Sequence, residues 1–208
     1  MTYVSLHDRL RTVVATALKK ELGITNVHAL PRLQKVIVNV GINKTKMDGK
    51  EIHEFVAKTL AQITGQKPVF RITRKAISNF KTRSGLVVGA MVTLRGRRME
   101  AFVDRLVSYV LPRIRDFRSL PAKLDGRGNY AIGIRDHTIF PEVPSADAAK
   151  IFGMQIQFTT TAGRDDRGRA LLKQIGMPFT PERKPSTKSS PSRIKEKAVE
   201  ESASVSHT

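Results

Sequence analysis

The feature that most limits the possible folds is a set of short segments in which apolar and polar residues alternate. Val36, Val38 and Val40 share one parity while Lys35 and Asn39 take the other. Leu86, Val88, Ala90, Val92 and Leu94 form a second such run, and Tyr130, Ile132 and Ile134 a third. In a fourth, Met154, Ile156 and Phe158 are set against Gln155, Gln157 and Thr159. Successive side chains of a strand point to opposite sides, so alternation marks a strand with one side in the core and the other in water. Strands covered on both faces, as in parallel sheets, read as unbroken apolar runs instead. With a further strand over residues 69–73, the pattern predicts a mainly antiparallel sheet with one bare face.

Between these runs the apolar spacing changes to that of one-faced helices. Leu6, Leu10, Val13, Val14, Ala17 and Leu18 form the first stripe, stopped by Gly23. Asp48 and Glu51 read as a capping box before Ile52, Phe55, Val56, Leu60 and Ile63, with Gly65 as C-cap. Met99, Phe102, Val103, Leu106 and Val110 make a third helix, which Pro112 is expected to close because proline cannot extend a helix interior. Residues 113–129 read as irregular, and a last helix runs from about Asp165 to Ile175 and ends at Gly176. Helices and strands mix without regular βαβ alternation, so the predicted class is α+β: helices packed on one face of a mainly antiparallel sheet. Beyond Thr180 come seven serines, three prolines, alternating charges and no aromatic residue. Such a segment cannot bury enough apolar area to offset its ordering entropy. The expected division is therefore one domain over residues 1–180 and a disordered, basic, Ser-rich tail over 181–208.

Charge narrows the function. The chain has 37 Lys+Arg against 18 Asp+Glu, a net +19, and 13 of those cations against only three acids lie between Lys67 and Arg118. That stretch carries strand and helix patterns, so the charge belongs to a folded surface. A folded cationic surface suits nucleic acid, which rewards Lys and Arg through counterion release, better than it suits an anionic membrane. Cysteine is absent, which excludes disulfide scaffolds, thiolate metal sites and thiol catalysis. No apolar run approaches the roughly 20 residues of a membrane span, and Met1–Arg11 lacks a secretory-signal pattern. The five histidines are scattered without ligand spacing, Asp165–Asp166 reads as the acidic start of a helix, and Gly126-Arg127-Gly128 reads as a turn rather than a phosphate loop. No catalytic set suggests itself, so neither an enzyme nor a cofactor or metal is expected.

Two basic stretches remain. Arg74, Lys75, Lys81 and Arg83 are interspersed with Ser78, Asn79 and Thr82, which add hydrogen-bonding groups, and with Phe80, which either stacks on a base or folds back on the sheet. In residues 112–118, Asp116 is positioned to pair with one of Arg113, Arg115 and Arg118, leaving the others for phosphate. A general nucleic-acid chaperone or DNA-binding protein is the alternative reading of these faces, although no helix-turn-helix or basic zipper is visible.

Taken in order, LQKVIVNVG at Leu33–Gly41, ITGQKP from Ile63, ISNFKTR from Ile77, VTLR from Val92, LPRIRDFR from Leu111, DGRGNYAIG from Asp125, IFPEV from Ile139 and LLKQIGMPF from Leu171 resemble the large-ribosomal-subunit protein L-five family in its bacterial form. The resemblance covers most of residues 5–179. It implies a structural RNA-binding protein of the ribosome without catalytic activity, which attaches 5S ribosomal RNA in the central protuberance and also contacts large-subunit ribosomal RNA. On the residues that match, it implies 5S RNA binding by Asn39, Gln62, Gln66, Lys67, Thr93 and Arg95, and contact with P-site transfer RNA by Arg74, Lys75, Asn79, Lys81 and Arg83. Another surface is implied to bridge to small-subunit protein thirteen. This chain departs from the family pattern at Arg71 and Ser119, and in the segment Pro144-Ser145-Ala146-Asp147-Ala148-Ala149, a candidate for that bridge.

Truncation after Thr180 is expected to move the melting temperature by less than about 2 °C, the equivalent of no more than about 0.5–1 kcal/mol in a chain of this size. A larger fall in a calorimetric scan would show that the tail packs on the body.

Overall fold

A computed structural model describes residues 5–42, 49–80, 82–115, 117, 119–143 and 151–180, with only the backbone of Lys50 and Phe80. Five strands, β1 (Leu33–Gly41), β2 (Val69–Ile72), β3 (Val87–Leu94), β4 (Tyr130–Ile134) and β5 (Met154–Thr160), form one sheet in the order β2-β3-β1-β5-β4. Every pairing is antiparallel. The α+β class with a one-sided sheet, predicted from alternation, is the observed architecture.

Strand β1, the longest, lies at the centre, paired on one edge with β3 and on the other with β5. Val36, Val38 and Val40 are fully buried, with Ala90, Val92 and Leu94 of β3 on one side and Ile156 and Phe158 of β5 on the other. Four helices cover this face. The first, α1 (6–22), is built of Leu6–Arg9, a π turn at Leu10–Val14, and Ala15–Leu22, and it ends in left-handed Gly23. The second, α2 (Lys50–Thr64), buries Val56, Leu60 and Ile63 and ends in left-handed Gly65. The third, α3 (96–113), buries Met99, Phe102, Val103, Leu106 and Val110, and the fourth, α4 (Asp165–Ile175), buries Leu171, Leu172 and Ile175. Helix α1 packs against both α3 and α4. Each Val or Leu so covered contributes on the order of 1.5–3 kcal/mol by leaving water.

Three local expectations are corrected. Pro112 does not close α3 before itself. The helix continues through it to Arg113, because a π turn at Leu106–Val110, in which Leu111 N–H reaches the Leu106 carbonyl, widens the backbone ahead of the residue that lacks an N–H. At the start of α2 the N-cap is Gly49, with no side-chain cap. Asp48 of the expected capping box lies outside the described residues. In the second alternating run, Leu86 precedes β3 and Val88 is 36% exposed, because this end of the β2–β3 hairpin runs beyond the helical cover.

The turn at residues 125–129 is held from two sides. Asp125 accepts from the backbone N–H groups of Arg127 and Asn129 and from the Asn129 side chain, while Asp165 at the start of α4 accepts from Gly126 and Gly128 N–H. That contact explains an acidic residue at this helix start as a structural anchor. Gly128 has φ +83° and touches Gly168 so closely that a Cβ on Gly168 would come within 2.4 Å of the Gly128 carbonyl oxygen. Gly168→Ala and Gly128→Ala should each cost about 1–3 kcal/mol through overpacking. Gly126→Ala, also at positive φ but in open space, should cost less. Urea unfolding of the three variants checks the order.

Candidate nucleic-acid interface

The face of the sheet opposite the helices carries no packed element among the described residues. Its rows follow from the register. Val69, Met91, Asn39, Gln155 and Gly133 form one, and Thr93, Ile37, Gln157 and Ala131 the next, with Lys35 beside Thr159. On the other side Arg71 leads to Gly89 and Gly41, and its guanidinium lies 3.6 Å from the Met91 sulfur. The centre therefore sets the amides and hydroxyls of Asn39, Gln155, Gln157 and Thr93 among apolar Ile37, Met91 and Val69, with Lys35 at one end. Gln157 Nε2 donates to Gln155 Oε1 at 3.3 Å, which sets the two amides in a fixed relation along β5.

Cations form the border. Lys67 precedes β2, Arg95 follows β3 as the N-cap of α3, and Arg97 and Arg98 open that helix, all exposed. Beyond β2 and β3 the hairpin continues through further backbone pairing among the described residues. Thr73 N–H donates to the Leu86 carbonyl, Gly85 N–H to the Thr73 carbonyl, and Ile77 and Thr82 exchange both backbone bonds at 3.2 Å. Arg74, Lys75, Asn79 and Arg83 are exposed on it beside Ile72 and Ile77, which are 61% and 47% exposed. The hydrogen-bonded pair His7–Glu100 and the ion pair Arg105–Glu142 lie on the helical side. Among the described residues none of Lys67, Arg71, Arg74, Lys75, Arg83 and Arg95 meets a carboxylate. The tail holds six of the 37 cations and four of the 18 acids, so +17 of the net charge lies in residues 1–180.

The structure brings Asn39 and Thr93 onto the open face and sets Gln66, Lys67 and Arg95 at the ends of the strands that bound it. Gln62 stands apart, exposed on the last turn of α2, the helix whose apolar side faces the core. Arg113 and Arg115 are exposed where α3 ends, away from the strand rows. Lys81, Asp116, Arg118, the Phe80 side chain and residues 144–149 lie outside the described residues. Ser119, one of the departures from the family pattern, lies 2.7 Å from Thr180 Oγ1 through its hydroxyl. Sequence reasoning missed Lys35, Gln155, Gln157 and Thr159, although the alternation that identified β1 and β5 already put them on the polar side.

These features define a class: a basic α+β protein with one face shaped for contact. Comparison with known proteins makes the assignment particular. Residues 26–83 match the family of ribosomal protein L5, and residues 87–179 match the C-terminus of the same ribosomal family. The large ribosomal subunit protein uL5 of Synechococcus sp. (strain JA-2-3B'a(2-13)) is 50% identical over 81% of this chain and 93% of that protein. That of Rubrobacter xylanophilus is 48% identical over 85% and 98%, and that of Anaeromyxobacter sp. (strain Fw109-5) 49% identical over 84% and 97%. The chain belongs to the ribosomal protein L5 family.

Hydrogen bonds from Asn129 and from backbone N–H groups hold the Asp125 carboxyl below its ordinary value. A carboxyl depressed in the folded state stabilises above its unfolded pKa near 3.9, and that contribution is lost as pH falls through the folded value. Acid titration of stability should therefore be shallower below pH 4 in an Asp125→Asn variant than in the parent, by a small amount because the group is exposed.

Proposed function

We propose that the chain anchors 5S ribosomal RNA to the large ribosomal subunit through the open sheet face, and that the β2–β3 projection meets P-site transfer RNA. As a member of its family the protein is a structural, non-enzymatic constituent of the large subunit, located with the ribosome in the cytoplasm. The observation that carries the finer reading is the division of the exterior. A patch in which the amides and hydroxyls of Asn39, Thr93, Gln155 and Gln157 alternate with apolar Ile37 and Met91 is bordered by cations that no carboxylate of the described residues neutralises. Cations fix phosphates without reading sequence, whereas Asn, Gln and Thr engage base edges and 2′-hydroxyls of irregular RNA.

In this reading Asn39, Gln66, Lys67, Thr93 and Arg95, with Gln62 at the flank, serve 5S RNA. Arg74, Lys75, Asn79, Lys81 and Arg83 serve the transfer RNA, and Arg113, Arg115 and Arg118 take a further segment of large-subunit ribosomal RNA. The inter-subunit contact with small-subunit protein thirteen is assigned to the region after Val143.

Binding to 5S RNA should weaken steeply with salt, by about one unit of log–log slope for each phosphate contact, and should outlast competition by bulk transfer RNA and duplex DNA. Lys67→Ala with Arg95→Ala should lower that slope by about two. Replacing Arg74, Lys81 and Arg83 by Ala should impair transfer-RNA-dependent ribosome function with 5S affinity nearly unchanged. Equal competition by all three nucleic acids favours a general chaperone, and joint loss of both activities removes the division of faces.

A further inference from the structure

We infer that the depression where β4 and β5 meet the 123–129 loop receives one unpaired nucleobase of the bound RNA. The inference rests on the 5S reading of the open face and names a site within it. The depression has a volume of about 470 Å³, inside the range of small-ligand pockets. It lies at the edge of the open face, since Ala131, Gln157 and Thr159 are neighbours on that side of the sheet.

Its lining is chemically mixed. Half-buried Leu124, which packs against the core, and Ala131 supply apolar contact for a ring face. Lys123 is a donor, and the Gln157 amide offers an acceptor oxygen while its nitrogen is turned to Gln155. Thr159 brings a hydroxyl that makes no hydrogen bond among the described residues. Asp125 also lines it. Three of its acceptor positions are filled by Arg127 N–H, Asn129 N–H and the Asn129 side chain, and a carboxylate this close disfavours a phosphate. Donors, acceptors and an apolar floor together suit a base edge with amino and carbonyl groups, not an anion.

The site is preformed. Asn129 is tied on both ends, its amide nitrogen to Asp125 and its oxygen to Thr160 N–H at 2.9 Å, and Asp165 pins Gly126 and Gly128. A rigid wall reduces the ordering cost of capturing a flipped-out base. Edge strand β4 presents only Ala131 and Gly133 on this face, which leaves room for the sugar-phosphate chain beside the depression.

The test uses the full chain and 5S RNA at two salt concentrations. Ala131→Leu, which fills the depression from an exposed edge-strand position, and Gln157→Ala should each lower affinity about tenfold with the salt slope unchanged, whereas Lys67→Ala lowers the slope. A panel of 5S RNAs, each with one abasic loop nucleotide, should contain one member that binds the parent about tenfold more weakly yet loses nothing further on Ala131→Leu. Melting curves of the variants confirm that the fold is kept; where Ala131→Leu fails to fold, Gln157→Ala takes its place in the panel. If Lys67→Ala acts but neither substitution in the depression does, or if no abasic position is coupled to them, the base site is wrong while the 5S reading stands. If none of the three variants alters 5S binding, the open-face reading itself fails.

Discussion

Burial of one side of β1 between β3 and β5 is the constraint on which the rest of the molecule depends. Val36, Val38 and Val40 are in the core only if the register with Val92 and Ile156 is kept, and a slip by one residue would turn all three toward water. The same register fixes the opposite side. Asn39 stands between Met91 and Gln155, and Ile37 between Thr93 and Gln157, because the valines next to them are committed to the helices. The mixed polar and apolar face that looks outward is thus fixed by the apolar one that faces inward.

This coupling explains which parts of the molecule are legible from sequence. Alternation is a strong signal for strands with one wet side, and β1, β4 and β5 follow it closely, while α4 has the bounds expected of it. The reading failed where backbone and tertiary context override local pattern. Pro112 remains helical because the π turn before it relieves the loss of a donor, and no side-chain pattern announces such a turn. Val88 fits the alternation of β3 yet is partly exposed, since alternation reports which side a residue takes and not how far the helices extend over it. Gln155 and Gln157 show the converse. Their side follows from the alternation, but a neutral amide on a wet strand carries no charge that sets it apart from ordinary surface.

The 125–129 turn shows how a basic protein uses its few acids. Asp125 and Asp165 are engaged by backbone N–H groups of Arg127, Asn129, Gly126 and Gly128, and Glu100 and Glu142 by partners on the helical side, so the cationic border is left without internal partners among the described residues. Compactness near the turn depends on the absence of side chains at Gly128 and Gly168, which lets α4 approach the loop directly.

The sheet ends in two edge strands, β2 and β4, whose outer backbone is unmatched within the sheet. Such edges invite self-association, and the like charge of the +17 bodies opposes it. The charge therefore doubles as a colloidal safeguard for copies outside the ribosome, and high ionic strength weakens that safeguard by screening.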